Sequence, residues 1–313
     1  MTTQPDRPQD RPQQDPGRSF GSVAGSYERG RPTYPREAVE WLVGTEPVSV
    51  LELGAGTGKL TELLVGLGHD VFATDPDEAM LDVLSAKLPD VRATVGTAEQ
   101  IPSGDGLYDV VVAGQAFHWF DLDRALPEIV RVLRPGGRLA LVWNSRDERI
   151  PWVRRLGALL GRQDQETDPT RPIDDSALFS AVDTTIFRHW QTVDRDSVQD
   201  LVLSRSNIAV LPEAEREAKR AEVLAFYDDY GRGMDGMQLP YNCRCFRTAV
   251  LPHVQTKRTV EIAEPAEPAP GLSSGLHVPR RPTDTADRLP RVVTDATSGD
   301  DGSDTGMILI DFR

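Results

Sequence analysis

Short apolar runs alternate with segments of helical periodicity along the middle of the chain. A run of successive apolar side chains predicts a strand buried on both faces, and apolar positions three or four apart predict an amphipathic helix. The strands predicted in this way are 48–53, 70–74, 91–95, 108–113 and 138–143, and the helices are 60–67, 77–88 and part of 122–133. Their alternation favours an α/β fold, with a parallel sheet and helices on both of its faces.

Two turn-forming features lie near the last of these helices. Pro127 falls inside the segment 122–133. Proline is tolerated in the first turn of a helix but not in its interior, so Pro127 is interpreted as part of the first turn, with the helix proper following it. The sequence RPGG at 134–137 then predicts a turn before the next strand.

Composition divides the chain of 313 residues into three parts. Residues 1–18 lack the apolar side chains that order a segment, and residues 252–313 form an acidic tail rich in Pro, Ser and Thr. Both are expected to be disordered. Residues 19–251 carry the apolar pattern and are predicted to form one folded domain.

Charge, apolar run length and cysteine content exclude several classes of partner. A net charge of −14 argues against nucleic acid, because nothing offsets phosphate repulsion. The sequence contains neither an apolar run of membrane-spanning length nor the apolar core of a signal peptide, so a cytoplasmic protein without a membrane partner is expected. Cys243 and Cys245 are interpreted as reduced thiols, since a bridge this short is strained and two ligands do not complete a zinc site. No disulfide-linked partner and no metal are therefore expected.

The main chain after the first predicted strand lacks side chains at three alternate positions, Gly54, Gly56 and Gly58. The third glycine comes one residue too early for the dinucleotide fingerprint G-x-G-x-x-G. A phosphate-binding loop is also disfavoured, because Leu53 stands where its first glycine should be and Leu60 follows the lysine. Lys59 is therefore interpreted as a helix-surface residue. A nicotinamide dehydrogenase is disfavoured by the same glycine spacing.

Asp75 ends the second predicted strand, at the edge of the sheet where the glycine loop also lies. A carboxylate at this position accepts hydrogen bonds from both hydroxyls of a ribose. The alternative role, a turn or helix cap, suits Asp77 better. The combination with the glycine loop favours a binding role for Asp75.

Five motifs together resemble the class I S-adenosylmethionine-dependent methyltransferases, in particular those of the trans-aconitate and type 11 kind. They are LELGAGTGKLT, FATDPDEAML, VGTAEQIP, YDVVVAGQAFHWFD and LRPGGRLALVWN, and the resemblance covers about residues 20–250. It implies a Rossmann-like, mostly parallel seven-stranded sheet with helices on both faces and an antiparallel last strand. A small helical cap, within about 145–239, would be inserted before that strand and supply acceptor specificity.

The resemblance also implies where S-adenosylmethionine is held. Its methionine part would lie beside the glycine loop with Glu52 orienting its amino group, its ribose on Asp75, its adenine beside 96–102 and its sulfonium end after the fourth strand. An N-terminal segment would close over it. The cofactor-binding residues implied are Tyr27, Arg31, Glu52, Gly54, Ala55, Gly56, Gly58, Asp75, Thr97, Ala98, Glu99, Gln115 and Ala116. Thr97 departs from the family, which usually has aspartate there, and ordinary packing of an N-terminal helix is an equal alternative for Tyr27.

Methyl transfer requires alignment of the acceptor with the sulfonium and exclusion of water. His118 is the candidate general base because it follows the fourth strand at the ligand end of the sheet; its alternative is a structural histidine in an aromatic loop. Trp119 is predicted to form a pocket wall. Strands are predicted at 185–193 and 238–250, with an exposed amphipathic helix at 213–227 between them. The polar candidates for acceptor contact are the segment 204–206 and Arg244.

The sequence therefore predicts a methyltransferase that moves a methyl group in line from S-adenosylmethionine to oxygen or carbon of a small-molecule acceptor, with a carboxylate among the options. The alternative is a protein that binds the cofactor without turnover and acts in regulation or partner docking. Intact glycines and Asp75 support cofactor binding in both cases. The acceptor is not determined by the sequence.

Overall fold

The computed structural model describes residues 24–161, 168–230, 236–252 and 254, all within the first of two compact units of the chain, residues 1–264. The predictions of disorder for 1–18 and for 252–313 lie outside the described residues, except at Pro252 and Val254, which are described and helical. No helix within the described ranges is long and apolar enough to cross a membrane.

The strands of the described residues form one seven-stranded sheet. They are β1 (Ser49–Leu53), β2 (Asp70–Asp75), β3 (Arg92–Val95), β4 (Tyr108–Gly114), β5 (Leu133–Arg146), β6 (Asp183–Val193) and β7 (Met237–Ala249). Their order across the sheet is β3-β2-β1-β4-β5-β7-β6. The first five strands pair in parallel, and β7 runs antiparallel to both β5 and β6. The predicted Rossmann-like sheet with an antiparallel last strand is confirmed.

Helices cover both faces of the sheet. They are α1 (Ala24–Gly30), α2 (Arg36–Val43), α3 (Lys59–Gly66), α4 (Glu78–Lys87), α5 (Leu122–Val132), α6 (Pro151–Leu160), α7 (Thr170–Asp175), α8 (Ser197–Leu203), α9 (Ser206–Ala209) and α10 (Glu213–Tyr230). Successive strand residues point to opposite faces, so Leu51 and Leu139 pack with α5 whereas Val50 and Ala140 pack with α2 and α3. Both faces of the central strands are buried, which explains their continuous apolar runs.

The interpretation of Pro127 as part of the first helical turn is wrong. Helix α5 begins at Leu122 and runs through Pro127. The proline is tolerated because it lies on the exposed side of the helix, as does Asp123, whose carbonyl would accept the missing N–H. Solvent is available to that carbonyl, so the loss of the hydrogen bond does not end the helix.

The predicted turn at 134–137 lies inside β5 rather than before it. Tyr108 of β4 pairs with Leu133 and Val110 pairs with Arg138, so the segment 134–137 loops out between two paired positions. Such a bulge interrupts the ladder without ending the strand. Strand β5 is consequently longer than the predicted strand 138–143.

A separate apolar cluster joins α6, α8, α9 and α10 to the ends of β6 and β7. Helix α10 extends the predicted helix 213–227 and buries Val223, Phe226 and Tyr227 against this cluster. The helices α8 to α10 are inserted between β6 and β7, as the predicted cap requires. Their packing places the segment after α8 beside the N-terminal helix α1, which forms more contacts with α8 than with α4.

Candidate functional site

Most of the predicted site residues lie at or just after the carboxyl ends of β1, β2 and β4. The sheet order changes direction between β1 and β4, since β2 and β3 lie on one side of β1 and β4 and β5 on the other. Ligands of open α/β sheets bind in the crevice that this reversal creates. The loop after β1 is thus at the expected position for a ligand site.

Two glycines shape this loop for different reasons. Gly54 has a φ of 69°, and a Cβ there would collide with Cβ of Ala116 in the loop after β4. Gly56 has a φ of 57°, but the nearest atom to an added Cβ is Cε1 of Tyr27 at 3.9 Å. The absence of a side chain at Gly54 therefore lets the loops after β1 and β4 approach each other closely. The absence of one at Gly56 leaves open space above the main chain.

Asp75 organises the glycine loop through its side chain. Its Oδ2 accepts from the Gly56 N–H at 2.8 Å, and its Oδ1 accepts from the Asp77 N–H at 2.9 Å. Burial raises the pKa of this carboxyl, while the two main-chain hydrogen bonds oppose the rise. Each oxygen keeps a further lone pair for a ligand hydroxyl. Asp77 instead caps α4 by accepting from the Ala79 N–H at 3.0 Å, as the sequence predicted.

Glu52 is a buried carboxylate on β1, with 1% of its surface exposed. Its Oε2 accepts from the Thr61 hydroxyl at 2.7 Å, and burial raises the pKa of the carboxyl to about 8. A cationic group close to Glu52 would favour its ionised form. Its predicted role in orienting the amino group of the cofactor stays a prediction.

The segment 96–102 connects β3 to the crevice. The Gly96 N–H donates to the main-chain oxygen of Asp75 at 3.2 Å, which draws the segment toward the end of β2. Ala98 is buried and Thr97 half-buried. Glu99 accepts from the Asp121 N–H at 2.9 Å at the start of α5, so its carboxylate supports that helix.

The loop after β4 contains a residue in a conformation that side chains rarely adopt. Gln115 has a φ of 56°, and its N–H donates to the main-chain oxygen of Val142 at 2.8 Å. This left-handed turn carries Ala116 under Gly54, and such strained residues concentrate at functional sites. The structure thus brings the loops after β1 and β4 into direct contact.

His118 follows in a single 3-10 turn, Phe117–Trp119. Nε1 of Trp143 donates to Nδ1 of His118 at 3.5 Å, and the His118 and Trp119 rings lie 4.8 Å apart. The Trp119 side chain is 43% exposed. A large apolar ring with this exposure suits the rim of a pocket better than its interior.

Helix α1 lies over the glycine loop, where the closing segment was predicted. Glu28 accepts a hydrogen bond from the Thr57 hydroxyl, and its carboxylate lies 3.0 Å from Nζ of Lys87 and 3.8 Å from Nζ of Lys59. Lys59 is consequently not a solvated surface residue as predicted: its side chain is 17% exposed, and burial lowers its pKa. Glu28 was not among the predicted site residues, because no local sequence pattern marks a carboxylate whose partners are distant in the chain.

The same helix is anchored to the cap. Arg29 donates two hydrogen bonds to Asp200 of α8, at 2.7 and 2.9 Å. Gln191 of β6 donates to the main-chain oxygen of Gly30 at 3.0 Å. Arg31 lies over the Tyr27 ring, 5.3 Å from its centre, and donates to the Ser204 carbonyl at 3.0 Å. Helix α1 therefore bridges the glycine loop and the cap.

Comparison with known proteins decides what this arrangement is. A family model described as a methyltransferase domain matches residues 51–141. Over 239 residues the chain is 47% identical to an uncharacterized methyltransferase of Mycobacterium tuberculosis, with 74% of this chain and 96% of the relative covered. The chain belongs to the methyltransferase family. Its cofactor is S-adenosylmethionine, and the methyltransferase is an enzyme.

A solved structure and a further relative are also similar to this methyltransferase. A methyltransferase from an antibiotic biosynthesis pathway of Anabaena variabilis shares the fold, with a TM-score of 0.51 at 20% identity over 68% of this chain and 95% of that one. A malonyl-[acyl-carrier protein] O-methyltransferase of Methylococcus capsulatus is 40% identical over 136 residues, which cover 40% of this chain and 49% of the relative.

The crevice of the methyltransferase fits the chemical groups of S-adenosylmethionine. The buried Glu52 carboxylate, with its raised pKa, matches the amino group of the methionine part. The remaining lone pairs of Asp75 match the ribose hydroxyls, and the open space above Gly56 admits the chain that joins them. Among the described residues no group of three or more His, Cys, Asp or Glu side chains is arranged to hold a metal ion.

The two predicted acceptor contacts lie in different places. Arg244 of β7 pairs with Trp143 and holds its guanidinium 5.2 Å from the centre of the Phe246 ring. It lines a shallow surface concavity of about 460 Å³ with Ser145 and Ile186. In the segment 204–206, Ser204 is buried and hydrogen-bonded within the cap. Arg205 is also buried, and its charge opposes the rise in pKa that burial causes at Tyr27 of α1, so it lies near that helix.

Proposed function

We propose that this methyltransferase moves a methyl group to oxygen or carbon of a small-molecule acceptor. The observation that carries the proposal is the position of α1, which is bonded to the glycine loop through Glu28 and to α8 through Arg29. A helix over the site restricts the size of the group that reaches the transferred methyl, which favours a small-molecule acceptor over a bulky polymer. The name of the relative from Methylococcus capsulatus, an O-methyltransferase, supports oxygen as the acceptor atom.

S-adenosylmethionine, when bound, supplies a methyl group activated by a positively charged sulfur. The residues of the chain then have three tasks: to hold the nucleoside, to align the acceptor and to exclude water. We assign the first to Glu52, Asp75 and the glycine loop, with 97–99 beside the adenine. Gln115 and Ala116 would lie beside the reacting methyl, and Tyr27 of α1 would close the site.

His118 as general base stays a prediction, but its surroundings favour an acceptor that needs no base. Because Nδ1 of His118 accepts from Trp143, the proton of the neutral ring lies on Nε2. Nδ1 uses its lone pair in this hydrogen bond and Nε2 carries the proton, so neither ring nitrogen offers a lone pair that could take a proton from the methyl acceptor. A carboxylate acceptor is already ionised at neutral pH, whereas a hydroxyl or carbon acid requires proton removal.

The proposal is tested by incubating the purified chain with a cell-derived metabolite pool and S-adenosylmethionine that carries an isotopically labelled methyl group. Mass spectrometry should find the label in a small molecule, together with stoichiometric S-adenosylhomocysteine. Fractions of total protein and nucleic acid are the controls. Label found in those fractions alone would contradict a small-molecule acceptor.

A further inference from the structure

Three arginines from separate elements converge behind helix α1. Arg31 follows α1, Arg146 ends β5 and Arg205 follows α8. Arg146 is 3% exposed and Arg205 is 6% exposed, and Arg31 is half-buried. Arg146 pairs with Glu148, with 3.3 Å between Nη2 and Oε1, but the buried Nε atoms of Arg31, Arg146 and Arg205 find no acceptor within the described part of the chain. Buried donors are costly unless a ligand accepts hydrogen bonds from them, so the group has the composition of a site for an anion.

Two tyrosines complete the group. Tyr241 of β7 pairs directly with Arg146 across the sheet, and both side chains therefore lie on the same face. All three guanidiniums lower the pKa of Tyr241, although burial raises it overall, so all three are close to this one ring. Arg31 and Arg205 act in the same sense on Tyr27. We call these five residues the arginine–tyrosine cluster.

The contacts that Arg31 makes are with neutral groups. It donates to the Ser204 carbonyl at 3.0 Å and lies over the Tyr27 ring. Its Nε is buried and finds no acceptor within the described part of the chain. Carbonyl oxygens satisfy hydrogen bonds but leave a guanidinium's charge uncompensated, so Arg31 retains both a charge and a donor for a ligand.

The cluster is held in place from behind. Asn144 donates to the main-chain oxygen of Thr33 at 2.9 Å and shares a hydrogen bond of 2.9 Å with Nε2 of His189. The His189 ring stacks on Tyr241 with 5.5 Å between the ring centres. This chain of contacts fixes the segment after α1 and the Tyr241 ring before any ligand arrives, which is the arrangement that binding sites favour.

The cluster also adjoins the cofactor crevice. Tyr27 lies against Gly56 of the cofactor loop, and Asp75 raises the pKa of the Tyr27 hydroxyl, which places that carboxylate close by. An anion bound behind Tyr27 would therefore lie next to the site of methyl transfer rather than at a remote surface.

We propose that the arginine–tyrosine cluster binds an anionic group of the methyl acceptor, so that the acceptor is a small organic acid or phosphate compound. This inference rests on the proposed function and names its substrate class. Guanidinium groups bind carboxylate and phosphate alike through paired N–H donors, and tyrosine hydroxyls add neutral donors to either. The remainder of the acceptor then reaches past Tyr27 to the transferred methyl.

The test is calorimetric titration of the protein saturated with S-adenosylhomocysteine. Malonate and citrate probe carboxylate recognition, and inorganic phosphate probes phosphate recognition. We expect one of the two kinds of anion to bind, and Arg146→Gln and Arg205→Gln each to weaken it by about tenfold or more, as loss of a charged hydrogen bond predicts. Arg205→Lys should retain part of the affinity because it keeps the charge.

Arg149→Gln is the matched control, since Arg149 is 67% exposed and pairs with Asp147 outside the cluster. Affinity for S-adenosylhomocysteine, measured on every variant, reports folding and should not change in the Arg146 and Arg205 variants. Absence of anion binding by the wild type, or equal binding by the glutamine variants, would overturn the proposal. So would a loss confined to S-adenosylhomocysteine affinity, which would assign the cluster to the cofactor. Because none of these measurements needs turnover, their failure is distinct from failure of the labelled-methyl experiment.

Discussion

Neighbouring residues of the same type have opposite roles at the end of β2. Both carboxylate oxygens of Asp75 accept hydrogen bonds from main-chain N–H groups around the crevice. The side chain of Asp77 instead caps the first turn of α4. The sequence alone predicted this division, because a cap must directly precede the helix it serves. Position relative to the strand end therefore separates the residue that we assign to the ligand from the structural one.

Asp75→Ala should lower the affinity for S-adenosylhomocysteine by about a hundredfold, since two charge-assisted hydrogen bonds to the ribose are lost. Asp77→Ala is the matched control, for it should lower the free energy of unfolding by about 1 kcal/mol through loss of the cap and leave affinity unchanged. Calorimetry and thermal unfolding of both variants provide the check. Normal cofactor affinity in Asp75→Ala would remove that residue from the site.

Glu52 should make cofactor binding depend on pH. Burial raises its pKa to about 8, so the carboxyl of the free protein is largely protonated below that pH and ionised above it. The ionised form is the one that attracts the amino group of the ligand. Affinity for S-adenosylhomocysteine should therefore rise between pH 6 and 8, by up to about tenfold per unit.

Glu52→Gln is the control for this dependence, since it keeps the shape and cannot titrate. The same raised pKa means that the folded free protein holds a proton that the unfolded chain loses above about pH 4.5. Glu52 thus lowers stability progressively as pH rises from about 4.5 to 8, and Glu52→Gln should flatten that decline in the free energy of unfolding. A wild-type affinity that is flat over pH 6 to 8 would contradict the pairing of Glu52 with the ligand's amino group.

Among the elements, the strands were predictable, whereas the start of the predicted helix α5 was not. Runs such as 108–113 are buried on both faces, so their apolar composition is local evidence of strand structure. The start of α5 was misjudged because tolerance of Pro127 depends on which side of the helix faces solvent. That information comes from packing on the sheet, and the residues next to the proline do not contain it.

Helix α1 depends on Glu28 for its contact with the cofactor loop. Glu28→Gln keeps a hydrogen-bonding partner for Thr57 but removes both ion pairs with lysine, so we expect a several-fold rise in KM for S-adenosylmethionine, on the order of 1 kcal/mol for partly buried pairs. Glu62→Gln is the control, because Glu62 also pairs with Lys87, at 3.4 Å, without touching α1. An equal rise in KM for the two substitutions would show that the pairing of Lys87, rather than the contact of α1 with the cofactor loop, determines cofactor binding.

On the scale of the whole molecule, the sequence predicted the crevice but did not predict the arginine–tyrosine cluster. The crevice follows from strand ends that the sequence marks with glycine and aspartate. The cluster joins Arg31, Arg146 and Arg205, whose proximity is created only when α1 packs on α8 and β7 pairs with β5. The sequence singled out Arg31 and the segment 204–206 separately, but no local pattern brings them together with Arg146.

Truncation after residue 254 should leave cofactor affinity intact. The main chain up to this point is bonded to the domain, since Leu251 donates to the Leu178 carbonyl at 3.0 Å and Val254 donates to the Leu251 carbonyl at 3.1 Å. Every residue assigned to the crevice precedes it. Calorimetry with S-adenosylhomocysteine on the full and truncated chains is the measurement, and weaker binding by the truncated chain would give the tail a part in the site.

The contacts of α1 also have a consequence for the timing of the reaction. Because the helix is bonded at one side to Thr57 and at the other to Asp200, we expect the nucleoside product to leave only after both sets of contacts have broken. Opening of α1 would then be a step that every catalytic cycle passes through twice, once for entry and once for release. Motions of this kind limit kcat in many enzymes whose chemistry is fast. Such an enzyme exchanges its nucleoside ligand slowly and in return excludes water from the reaction site.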